Sequence, residues 1–179
     1  HLADGGYGCV YKYRSDSGAY YAIKRPNEYM LSQPGRAQES SEREFAITRC
    51  ISQPDLAVVA VGIVDLFVPD TLEYVPALVY PFAQGVTLKN RLIMEGPSPL
   101  ATVASHFLQL YTIDEAYLIE KHQIAHLDLN LDNVIVDDPR IRALDFGSSK
   151  ILTSSGTETL DIHHSFLPPE LASPPPPSD

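Results

Sequence analysis

In the stretch His126-Leu127-Asp128-Leu129-Asn130-Leu131-Asp132-Asn133 an aspartate precedes an asparagine by five residues, and Asp145-Phe146-Gly147 begins twelve residues later. Between them, Asn133 to Val136 reads as a short β-branched strand, Asp137 to Arg140 as a turn, and Ile141 to Leu144 as the returning strand. A tight hairpin brings its outer ends together, so Asn133 and Asp145 are expected side by side. Both offer oxygen to a hard cation, and Mg²⁺ combines such ligands with substrate phosphates. Asp128 sits on the preceding loop, placed to accept a hydroxyl proton from whatever attacks the phosphate. The pattern suits a nucleotide held through magnesium.

Other elements must position these groups. The run Ala3-Asp4-Gly5-Gly6-Tyr7-Gly8-Cys9-Val10 is a glycine-rich loop, in which missing side chains let backbone N–H groups approach phosphate oxygens. An ordinary hairpin turn would use the same residues. Cys9 to Tyr13 and Ala19 to Ile23 read as strands joined through Ser15 to Gly18. Arg36 to Ser52 carries Phe45, Ile47 and Ile51 among charges, an amphipathic helix pattern. Ala57 to Val68 and Val75 to Tyr80 are expected as two further strands, followed by the segment Pro81 to Gly85. Val86 to Met94 reads as a short helix and Pro99 to Lys121 as a long buried one. The tail 171–179 is expected to be unstructured or polyproline-like.

These motifs, in this order, resemble the protein kinase family. Ala3 to Val10 stands where the family has G-x-G-x-x-G-x-V, Tyr21-Ala22-Ile23-Lys24 where it has V-A-I-K, and His126 to Asn133 where it has H-R-D-L-x-x-x-N. Asp145-Phe146-Gly147 matches D-F-G, and Pro168-Pro169-Glu170 matches A-P-E. The resemblance implies an α+β, bilobal fold: a small lobe over 1–83, part of a mainly helical large lobe over 84–170, and the tail. It further implies ATP and Mg²⁺ as the bound pair, Asp128 as catalytic base, and Asn133 and Asp145 as metal ligands. Lys24 would hold phosphates, steadied by a helix carboxylate; Glu44 is the matching position, with Glu39 and Glu42 as competitors. Gly5, Gly6 and Gly8 would line the phosphates, Val10 and Ala22 would roof the adenine, Ile135 would floor it, and Ala83 would pair with its edge. Phe146 would pack beneath the helix carrying Glu44.

The implied reaction is γ-phosphoryl transfer from ATP to a protein hydroxyl, with serine or threonine favoured. Departures from the family pattern keep a second reading open. Ala3 in place of the first glycine is a mild change, since Gly5 and Gly8 are kept, but Leu127 replaces the arginine before the catalytic aspartate, and Asn130 replaces a lysine that neutralises the transferring phosphoryl. A pseudokinase acting as nucleotide-binding scaffold fits those changes. A small-molecule kinase of the aminoglycoside or choline type also shares the lysine-free loop, although not the glycine loop or Pro168-Pro169-Glu170. Since the chain ends soon after Glu170, an incomplete large lobe is expected.

Composition narrows the partners. A net charge of −10, with 13 Lys and Arg in no dense cluster, disfavours nucleic acid. Cys9 and Cys50 are too few for a disulfide framework. No apolar run reaches membrane-spanning length, and a cytoplasmic setting is the default expectation, with an upstream targeting segment left open.

Overall fold

The structure, a computed structural model, describes residues 1–152 except 6, 7, 34, 52–54, 70, 71, 97 and 98, and for 115 and 116 only the backbone. Gly6, Pro168-Pro169-Glu170 and the proline-rich tail therefore lie outside the described residues.

Strands β1 (Ala3–Asp4), β2 (Gly8–Arg14) and β3 (Tyr20–Pro26) form the first antiparallel run, with Gly18 at φ 86° turning the chain between β2 and β3. A side chain is rarely tolerated at that angle, which is why glycine punctuates this turn. After a short α1 (Glu28–Leu31) and α2 (Arg36–Cys50), β4 (Gly62–Val68) and β5 (Glu73–Pro81) complete a five-stranded sheet in the order β1-β2-β3-β5-β4. β3 is central, paired with β2 on one side and β5 on the other, so Lys24 sits between Val10 and Leu78. α2 buries Ser41, Glu44, Ile47 and Thr48, spaced at three and four residues as one helical face requires.

The second half begins with β6 (Val86–Thr87) and α3 (Leu88–Glu95), whose first turn is capped by the Thr87 hydroxyl accepting from the Asn90 N–H at 3.2 Å. Gly85, at φ 98°, approaches the backbone of Val136 so closely that a Cβ there would lie 2.0 Å from the Val136 carbonyl oxygen. Next come α4 (Leu100–Tyr111), a π-helical stretch Thr112–Ile119, α5 (Glu120–His122), and β7 (Ile124–Ala125). β8 (Val134–Asp137) and β9 (Arg140–Ala143) form the hairpin expected from the sequence, shifted by one residue, and β10 (Lys150–Ile151) pairs with β7. This is an α+β, kinase-like arrangement.

Two expectations need correction. The strand expected from Ala57 begins only at Gly62; Ala57 instead bridges Ala143 of β9, with the Val58 N–H donating to the Ala143 carbonyl at 2.9 Å. An extended apolar run looks alike whichever strand it pairs with, and this one tethers the sheet to the hairpin. Apart from His106, the long helix is buried only towards its end: Ile113, Tyr117 and Leu118 are in the core, whereas Leu100 is 84% and Phe107 68% exposed. Helical periodicity marks an apolar face without saying which neighbour covers it.

One core cluster joins the halves, packing Ile47 of α2 and Ile51 just after it against Ile113, Val134, Ile141 and Phe146. A second packs Leu78 and Tyr80 of β5 with Ile135 of β8, and Ala22, Ala83 and Leu144 border it.

Candidate active site

Lys24 reaches from the middle of β3 toward both halves of the molecule. Its ammonium donates to Glu44 Oε1 and Oε2 at 3.0 and 2.9 Å, and to Asp145 Oδ1 at 2.6 Å. Lys24 is 13% exposed, Glu44 3% and Asp145 41%, so two of the three charges have left water. Such a cluster survives only where geometry compensates the lost hydration. Burial alone would depress the Lys24 ammonium, but the carboxylates of Glu44 and Asp145 outweigh it and push its pKa up. Burial would raise Asp145, but Lys24 outweighs it and holds the carboxyl below its ordinary range. Both groups are charged at neutral pH.

Among the three helix glutamates, Glu44 lies on the buried face of α2, while Glu39 and Glu42 face solvent. Glu44 has a further partner that sequence reasoning missed. The Tyr80 hydroxyl of β5 donates to Glu44 Oε1 at 2.5 Å, and burial together with the Glu44 charge pushes the phenol pKa up.

The loop carrying Asp128 is held by short-range amide bonds. Asn133 Nδ2 donates to Asp128 Oδ2 at 2.9 Å and to its backbone carbonyl at 2.8 Å, and Asn130 Nδ2 donates to Asp128 Oδ1 at 2.9 Å. Asn130 Oδ1 in turn accepts from the backbone N–H groups of Asp132 and Asn133 at 2.9 and 3.2 Å. Both carboxylate oxygens of Asp128 are thus oriented by amides. Behind them His126, 1% exposed, bonds the Leu144 carbonyl through Nε2 at 2.9 Å and packs at a tilt against Phe146, ring centres 4.8 Å apart. Burial lowers the His126 pKa, which makes it a neutral structural ring.

The hairpin does what its turn requires. Leu144 N–H donates to the Asn133 carbonyl at 2.8 Å, bringing Asn133 beside the residue that precedes Asp145. Asp145 has φ 57° and Leu127 φ 63°, left-handed conformations that strain a residue with a side chain by about 1 kcal/mol. Asp145 Oδ1 also accepts the Gly147 N–H at 3.1 Å, and Arg43 donates to the Gly147 carbonyl at 2.7 Å, tying α2 to this turn. A Cβ on Gly147 would lie 3.0 Å from Asp145 Oδ1, 3.2 Å from Glu44 Oε2 and 3.3 Å from Lys24 Nζ. A side chain there would crowd the ion cluster, whose three side-chain ends would have to give by a few tenths of an ångström.

In the glycine-rich loop, the Gly5 N–H donates to the Gly8 carbonyl at 2.8 Å. A Cβ on Gly8 would meet the Arg25 carbonyl oxygen at 2.7 Å, so close pairing of β2 with β3 already demands glycine here. Val10 faces Lys24 across the strands, while Ala22, Ala83 and Ile135 border one apolar cluster. The segment after β5 is pinned by the Phe82 N–H donating to the Tyr20 carbonyl at 3.1 Å, with the Lys12 ammonium 4.0 Å from the Phe82 ring centre. Among the described residues no group of three His, Cys, Asp or Glu could hold a metal by itself.

The family model for the protein kinase domain matches residues 1–176. The chain belongs to the protein kinase family. The chain is 28% identical over 169 residues to a probable serine/threonine-protein kinase, YbdM, of Bacillus subtilis (strain 168), covering 90% of this chain and 60% of that protein. It thus spans less than two thirds of that relative's length. Against the family pattern, Leu127 and Asn130 remain the departures that touch the loop of Asp128. Among the described residues no helix is long and apolar enough to cross a membrane.

Proposed function

We propose that this kinase domain transfers the γ-phosphoryl group of ATP to a serine or threonine hydroxyl of a protein, with Tyr80 to Ala83 linking the two lobes. The observation that carries this reading is the Lys24 ammonium shared between Glu44 of α2 and Asp145 of the turn after β9. A cation clamped from two sides between the sheet and the loop has the charge and position to take a phosphate. Asn133 and Asp145 are the oxygen donors suited to Mg²⁺, and two such side chains are enough when phosphates and water supply the other ligands. Bound there, Mg²⁺ neutralises charge on the phosphates.

Asp128 is the proton acceptor. One carboxylate oxygen takes the hydroxyl proton as the substrate oxygen bonds the γ-phosphorus, and the bond to the bridging oxygen breaks to release ADP. The amides of Asn130 and Asn133 orient the carboxylate for that encounter. Ala22 and Ala83 pack against the apolar cluster that contains Ile135; with Val10 they would contact the adenine, and Gly5 and Gly8 would lie along the phosphates.

A scaffold role as a pseudokinase is favoured by one observation: Asn130 stands where the family places a lysine, and its amide is turned to Asp128 Oδ1. Removing a transition-state cation slows transfer more than binding. A thermal-shift titration with ATP and Mg²⁺ run beside a phosphate-transfer assay separates the readings. Transfer should be lost in Asp128→Ala with binding kept, and the Mg²⁺-dependent shift should be lost in Asp145→Asn. Nucleotide binding with no transfer by the unaltered protein would favour the scaffold.

A further inference from the structure

We infer that Tyr80 is a positioning residue, whose hydroxyl latches Glu44 to the sheet and thereby keeps Lys24 aimed at the phosphate site. The inference rests on the functional reading above.

The geometry carries the assignment. Glu44 Oε1 receives two donors, Lys24 at 3.0 Å and Tyr80 at 2.5 Å, while Oε2 receives Lys24 at 2.9 Å. The two donors come from neighbouring strands, since Ala22 of β3 pairs with Tyr80 of β5, whereas Glu44 comes from a separate helix. The phenol therefore fixes α2 to β5 independently of the lysine. Tyr80 is 8% exposed and Glu44 3%, so water is poorly placed to replace the hydroxyl. Burial and the carboxylate hold the phenol protonated, and it donates.

The consequence concerns what happens when phosphate arrives. Lys24 has three N–H groups, and Glu44 Oε1, Glu44 Oε2 and Asp145 Oδ1 accept from it. A phosphate oxygen must displace one of these acceptors. Asp145 is 41% exposed and can be given up, whereas Glu44, held by a second donor, stays. Without the hydroxyl, Glu44 Oε1 is a buried anion short of one donor, and swinging outward becomes favourable.

The test uses the full chain and Tyr80→Phe, which removes one oxygen and keeps the ring. The first readout needs no catalysis: Lys24 acylation by an amine-reactive acetylating reagent, followed site by site by mass spectrometry. Tyr80→Phe should label Lys24 faster, roughly tenfold for a lost hydrogen bond to a charged group, while far-ultraviolet circular dichroism is unchanged. Ile63→Val trims the same apolar cluster without touching the hydroxyl and should leave labelling unchanged. Where transfer is measurable, kcat should fall more than KM for ATP rises, and the Tyr80→Phe effect should vanish in a Glu44→Gln background. Unchanged Lys24 labelling in Tyr80→Phe, or equal acceleration by Ile63→Val, overturns the latch. Since labelling is read without turnover, absence of transfer would count against the proposed reaction and not against Tyr80.

Discussion

The two polar clusters of this domain solve opposite problems. Around Lys24, charges from β3, α2 and the turn after β9 compensate one another across more than a hundred residues of chain. Around Asp128, one carboxylate is oriented by neutral amides of Asn130 and Asn133, two and five residues away. The first cluster forms only when sheet, helix and hairpin dock; the second forms as soon as one loop closes. The comparison teaches that the lysine cluster reports assembly of the whole site, while the aspartate loop is a local unit carried into it.

Breaking the first cluster should have the largest effect. Lys24→Met leaves Glu44 buried without its cation and should cost about 3–5 kcal/mol, read as a lowered urea midpoint. The Mg²⁺-ATP thermal shift should disappear with it. Gly147→Ala tests the cluster by crowding, because the added methyl meets Asp145, Glu44 and Lys24 at once. Overpacking of this kind costs about 1–3 kcal/mol, and nucleotide affinity should fall with it. Asn130→Ala probes the other side of the comparison. It removes the donor to Asp128 Oδ1 and the acceptor for two backbone N–H groups, and should cost about 1–2 kcal/mol while leaving the Lys24 cluster intact. A collapse of nucleotide affinity in that variant would show that the loop is not the independent unit described.

The smallest effect is a pH dependence. Burial depresses the His126 pKa below the ordinary histidine value near 6.5. Between the two values the unfolded chain binds the proton and the folded chain does not, so stability falls as pH drops below about 6.5. Unfolding midpoints from pH 7 to pH 5 should show this decline, and it should be weaker in His126→Gln after correction for that variant's lower starting stability.

Several features were open to reading from sequence because their causes are local. The hairpin from Val134 to Ala143 follows from β-branched runs around a turn, and its closure places Asn133 beside the Leu144-Asp145 step. The α2 helix followed from its apolar spacing. The start of β4 was misread because Ala57 to Ala60 is apolar whether it joins the sheet or, as here, touches β9. Tyr80 passed for a plain strand end, since nothing near it in sequence announces a carboxylate thirty-six residues away. Gly147 could be seen as a motif glycine, yet the ion cluster that a side chain there would crowd became visible only in three dimensions.

By itself, then, the sequence determined which residues could carry charge, where strands and helices arise, and in what order the motifs come, because propensity and short-range hydrogen bonds depend on neighbours a few residues apart. Tertiary structure decided that Glu44 and not Glu39 or Glu42 meets Lys24, that Tyr80 joins them, and that Asp145 completes the cluster. Those choices turn on which faces are buried against each other. A buried charge has no stable place until its partner arrives from a distant part of the chain.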